Sequence, residues 1–113
     1  MIALFDEALG LLSKWKSESV GVRGILVVDG GAVTFGGLIK FLSPDALVIT
    51  QYAKPGQKVA EVKLALGTAT AFEYGDVREI PEEIRDTHFG KISSILVIHI
   101  PGGICTLFAG EPS

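Results

Sequence analysis

The sequence has one cysteine, Cys105, in 113 residues. This excludes an intramolecular disulfide framework and any cysteine-rich zinc or iron–sulfur site, and it suits a reducing compartment, so a cytoplasmic location is expected. Charge is scarce as well: Asp, Glu, Lys and Arg make up 20% of the chain, below the roughly 25% of an average soluble domain. The net charge of -3 and pI near 5.3 provide no global field to attract nucleic acid or an anionic membrane. A nucleic-acid role would have to rest on a local patch. No apolar run reaches the roughly 18 residues that a bilayer crossing needs. The start, Met1-Ile2-Ala3-Leu4-Phe5-Asp6-Glu7, carries acids where a signal peptide would carry positive charge, so neither a membrane span nor a secretion signal is expected.

What is abundant is apolar character, with a mean hydropathy of +0.44. A chain of this length fits a single domain over 1–113 with a core of its own. A small domain has much surface relative to its volume, so the shortage of charge implies that some apolar surface is buried against another chain. A homo-oligomer is expected.

Residues 2–17 place Leu4, Phe5, Ala8, Leu9, Leu11, Leu12 and Trp15 at helical spacing, with Asp6, Glu7, Lys14 and Lys16 mostly on the other side. Acids early and lysines late match the helix macrodipole, while Gly10 costs about 1 kcal/mol relative to Ala. The polar side is not rich in Lys or Arg, which favours packing on a sheet over lying on a membrane. From Val20 the texture changes to β-branched runs punctuated by Gly, Pro and Asp, giving an expected sheet over 20–110.

Val20 to Val28, Ala32 to Leu42 and Ala46 to Tyr52 read as a strand meander with turns at Asp29-Gly30-Gly31 and Ser43-Pro44-Asp45. The pair Gly36-Gly37 inside the second strand predicts a bulge or sharp bend. After the Lys54-Pro55-Gly56-Gln57 turn, Ala60, Val62, Leu64 and Leu66 alternate with Glu61 and Lys63, and Thr68 to Tyr74 continues the strand texture. Residues 77–91 are the most polar stretch, read as a surface connection in which Pro81-Glu82-Glu83 opens a short helical turn. Ser93 to Ile100 and Ile104 to Ala109 flank Pro101-Gly102-Gly103 as a closing hairpin that is apolar on both faces. A three-residue loop would pair His99 with Cys105, and a two-residue turn is read as pairing His99 with Thr106.

Chemistry-bearing residues are few. A thiol beside an imidazole can ionise to a nucleophile, so His99 and Cys105 form the candidate reactive pair, although no partner to orient the imidazole is evident and aliphatic surroundings raise a thiol's pKa. Asp86, His88, Glu82 and Glu83 lack zinc-ligand spacing, and the paired glycines lack the Lys-Ser/Thr of a P-loop. No catalytic residues, cofactor or metal are assigned. For nucleic acid, Arg23, Lys40, Tyr52, Lys54 and Lys58 interleave basic and aromatic character around the meander, of which Lys40, Tyr52, Lys54 and Lys58 are the candidate contacts.

The segment Val33-Thr34-Phe35-Gly36-Gly37-Leu38-Ile39-Lys40-Phe41-Leu42-Ser43-Pro44-Asp45-Ala46-Leu47-Val48-Ile49 resembles the first motif of the Sm and Sm-like (Lsm) proteins: a glycine before an apolar position, an aromatic, a turn and an apolar strand. Ile95 to Ile104 is a weaker echo of the second motif. The resemblance implies a helix followed by a strongly bent antiparallel sheet that closes toward a small barrel, and an oligomer built by strand pairing. It does not carry over the family's RNA chemistry. Asp45 stands in the first turn without its Asn, and Pro101-Gly102 occupies the place of Arg-Gly. The expectation is therefore a mainly β, non-enzymatic, oligomeric small-barrel module for assembly or binding. RNA or single-stranded nucleic-acid binding is the alternative, and a small enzyme using Cys105 and His99 the second alternative.

Overall fold

The computed structural model describes residues 2–54, 56–75, 86–87 and 90–110, together with side chains outside 86–87 and 90–93. One helix, α1 (Phe5–Ser17), precedes an antiparallel sheet. Asp6 and Glu7 lie in its first turn and Lys14 and Lys16 in its last, and the Leu4 N–H donates to Glu7 Oε1 at 3.1 Å. At the other end Ser19 takes a left-handed conformation, φ 52°. Its N–H donates to the Lys16 carbonyl at 3.2 Å while the Val20 N–H donates to the Trp15 carbonyl at 3.0 Å, a Schellman closure that satisfies carbonyls the helix leaves open. Val20 and Trp15 are both buried at that closure.

The helix is shorter than the expected 2–17. Leu4 is extended, and Ile2–Ala3 form strand β1 against a later strand, Ala71–Tyr74, with Ile2 opposite Glu73 and Ala3 opposite Phe72. Helical spacing is indifferent to a few extra residues at an end, whereas pairing gives these backbone groups ladder partners, and Ala3 is buried.

The remaining strands are β2 (Val22–Val28), β3 (Gly31–Leu42), β4 (Leu47–Lys54), β5 (Gln57–Leu64), β6 (Ala71–Tyr74), β7 (Asp86–Thr87), β8 (Gly90–Ile100) and β9 (Gly103–Gly110). Their order is β1-β6-β8-β9-β2-β3-β4-β5, with β7 paired to β8 off this path. The expected three-strand meander forms as β2 to β4, and the strand expected after it adds as β5. The expected strand from Thr68 begins only at Ala71. Leu66–Thr68 make a 3-10 turn whose Thr68 hydroxyl donates to the Ala65 carbonyl at 2.7 Å, a local bond that competes with a ladder. The expected helical turn at Pro81-Glu82-Glu83 and His88 fall outside the described residues.

β3 belongs to two pairings. It faces β2 as far as Gly37, opposite Val22, and faces β4 from Leu38, opposite Thr50, with the register broken between Ile39 and Phe41. Gly37 stands at the handover with φ 150°, and a Cβ there would meet the Thr50 carbonyl oxygen, so only glycine allows the two strands this close. The fold is compact, with extents of 34 × 31 × 31 Å. The sheet remains open: among the described residues β5 and β1 are its two ends and no pairing joins them, so the expected barrel closure is not formed.

The inner side is filled by Ala8, Leu12 and Trp15 of α1 against Ile39, Leu47, Ile49, Leu96, Ile98 and Leu107 of the sheet. The Phe5 ring meets Phe72 edge-on at 5.5 Å and 61°. Each fully buried Leu or Ile here contributes about 1.5–3 kcal/mol.

The closing hairpin corrects the expected register. Its turn is Pro101–Gly102, with Gly102 at φ 80°, so Ile100 pairs Gly103, His99 pairs Ile104, and Ile98 pairs Cys105. His99 faces neither Cys105 nor Thr106. Because side chains alternate with period two, the one-residue slip sends Cys105 inward with Leu96, Ile98 and Leu107, and leaves His99 on the outer face.

Candidate ligand-binding concavity

On the outer side of the sheet, opposite the helix, cross-strand partners set neighbours. Arg23 of β2 stands between Gly36 of β3 and Phe108 of β9; Ile25 stands between Thr34 and Thr106; Val27 stands between Ala32 and Ile104. Two regions result. Toward the β2–β9–β8 side lies an apolar surface on which Val27, Ile104 and Ile25 remain 50%, 41% and 37% exposed. Toward β3 and β4 lies a concavity of about 410 Å³ lined by Arg23, Thr34, Phe35, Gly36, Gly37, Gln51 and Tyr52.

The concavity exists because Gly36 occupies the outer position between Thr34 and Leu38 and puts no side chain beside Arg23. Arg23 is half-buried, and its guanidinium makes no hydrogen bond or ion pair among the described residues. Lys40 is the unpaired residue at the β3 register break, and its Nζ lies 6.0 Å from the centroid of the Tyr52 ring, at the outer reach of a cation–π contact.

The four expected nucleic-acid contacts are thus partly assembled. Lys40 and Tyr52 meet, and Lys58 lies opposite Tyr52 across β4 and β5, but its ammonium donates to Glu61 Oε2 at 3.0 Å. Lys63 also approaches Glu61, at 3.5 Å. The Lys58 hydrogen bond is the main reason the Glu61 carboxyl is held below its ordinary value. Lys58 is therefore engaged within β5, and Lys54 stands opposite Gln57 beside the turn. Sequence reasoning singled out Arg23 but not its neighbours Thr34, Phe35, Gly36 and Gln51. Gly36-Gly37 was legible as a bend, but the space its missing side chain opens was not.

His99 and Cys105 do not form a reactive pair. Cys105 is fully buried, and burial pushes its thiol up to about 12, which suppresses the nucleophilic thiolate. His99 Nε2 instead lies 2.7 Å from Glu73 Oε2 on the outer face. That hydrogen bond is the main cause that holds the Glu73 carboxyl below its ordinary value. Among the described residues no group of His, Cys, Asp and Glu is arranged to hold a metal, and no helix is long and apolar enough to cross a membrane. No family model matches the chain, and neither a curated protein nor a solved structure matches it.

Proposed function

We propose that the protein is a non-enzymatic assembly module that self-associates through the outer face of β2, β9 and β8. The observation that carries this reading is the adjacency of Ile25, Val27 and Ile104 on a sheet face that the helix does not cover. Water in contact with these β-branched side chains is released when a second copy covers them. The open edge of β5 suits the role less, because Lys58, Glu61 and Lys63 line it with charges that oppose strand addition. The buried free thiol of Cys105 is consistent with a reducing, cytoplasmic setting.

The Sm-like reading of the architecture belongs to the same proposal. It is supported by the N-terminal helix, the meander and the bend at Gly36–Gly37, and it would make the open sheet a small barrel completed in the assembly. Light scattering at micromolar concentration should report a mass above one chain, and Val27→Lys with Ile104→Lys should return it to a monomer. A monomeric parent protein sinks the proposal.

A second reading, RNA or single-stranded DNA binding, is favoured by Lys40 over Tyr52 with Lys54 further along β4. It requires affinity that falls steeply with added salt.

A further inference from the structure

We infer that the concavity beside Arg23 is a binding site for a small planar anion: an aromatic ring joined to a phosphate or carboxylate group. This goes beyond self-association and does not depend on it, since the concavity lies on the β3–β4 side of the exposed apolar surface. The argument begins with Arg23. Arg23 is half-buried beside the opening, yet no carboxylate or carbonyl among the described residues takes its guanidinium donors. Among the described residues Glu61 is answered by Lys58 and Lys63, and Glu73 by His99. Arg23 has no such partner among the described residues, and it borders an opening. A planar fork of donors without an acceptor matches phosphate or carboxylate, which it can hold through two parallel hydrogen bonds.

The other side of the opening supplies the rest. Tyr52 presents an aromatic ring with Lys40 near its face, and Gln51 lies next to it in β4, an amide side chain able both to donate and to accept at a heteroaromatic edge. Gly36, on the same side of β3 as Arg23, leaves room for a flat group between Arg23 and Tyr52. A volume of about 410 Å³ lies within the roughly 300–1,000 Å³ of small-molecule sites. A nucleic-acid strand would need a longer basic track, because its affinity rests on several neutralised phosphates. Lys58 is engaged by Glu61 and the net charge is -3. The site therefore fits one small ligand better than a polymer.

The test is calorimetric titration of the full chain with adenosine 5′-monophosphate, with salicylate as the carboxylate counterpart and adenosine as the uncharged control. Amide chemical shifts locate whatever binds. The monophosphate or salicylate should bind with shifts centred on Gly36, Gly37, Gln51 and Tyr52, and the preferred one identifies the anionic group. Adenosine should bind about tenfold more weakly than its monophosphate, the scale of one charge-assisted contact. Arg23→Gln should cost about tenfold, while Tyr52→Leu should cost at least about fivefold and Tyr52→Phe little, because stacking needs the ring and not the hydroxyl. Should Arg23→Gln fail to fold, Gly36→Val reads the same site by filling it. No binding of either anion at millimolar concentration, shifts elsewhere, or affinity unchanged in these variants overturns the inference. Binding of a ten-nucleotide single strand without binding of the monophosphate also overturns it and favours the strand reading instead.

Discussion

The β2–β9–β8 part of the sheet carries β-branched and other apolar residues on both faces, joined on the outer one by Arg23, His99 and Thr106. Inward it carries Val22, Leu96, Ile98, Cys105 and Leu107, all without exposure, and outward it carries Ile25, Val27, Val97, Ile104 and Phe108, several of them open to water. The difference is made by α1, whose Ala8, Leu12 and Trp15 cover one side only. Hydrophobicity in a strand therefore marks a demand for cover, which the helix meets on the inner face while Ile25, Val27 and Ile104 stay exposed among the described residues.

The largest test of this contrast exchanges one residue on each face. Leu107→Ala should destabilise the protein by about 3–5 kcal/mol in urea unfolding, because it removes a fully buried side chain and leaves a cavity. Ile104→Ala should cost the monomer far less while weakening self-association in light scattering. Equal losses of stability would show that the outer face is covered within the chain after all.

A smaller effect is expected at Thr50, which follows Ile49 in β4 and so points to the opposite side, yet is 1% exposed with no hydrogen-bond partner for Oγ1. Thr50→Val should stabilise by about 1–2 kcal/mol, since it keeps the shape and removes an unsatisfied hydroxyl. No gain in melting temperature would mean that the hydroxyl is satisfied in solution.

The smallest effect is electrostatic and sits on the outer face. The folded-state pKa of Glu73 is depressed by its hydrogen bond to His99, so its contribution is present above the ordinary carboxylate value of 4.5 and is lost as pH falls through the lower folded value. Parent protein and Glu73→Gln compared by melting temperature across pH 3–7 should differ above that value and converge below it. A constant gap across the range would show that the loss is not one of charge.

Much of the architecture was legible in the chain. The helix followed from the spacing of Ala8, Leu12 and Trp15, the meander from its turn residues, and the bend from Gly36-Gly37. The hairpin register was not legible, because Pro101-Gly102-Gly103 serves as a two- or a three-residue turn and His99 and Thr106 are too few polar residues to mark one face of two largely apolar strands. The alternation that makes β5 readable is absent there. The concavity was hidden for a different reason: Arg23, Gly36, Lys40 and Tyr52 come from three strands, and only cross-strand pairing makes them neighbours.

The amino-acid sequence alone determined a mainly β fold with one N-terminal amphipathic helix, because period and turn chemistry act locally. Tertiary structure decided which face of the sheet the helix covers, that Cys105 turns inward while His99 turns outward, and that Arg23 and Tyr52 border one opening. Those outcomes depend on register, and a shift of one residue, which alters no local preference, exchanges the two faces of a strand.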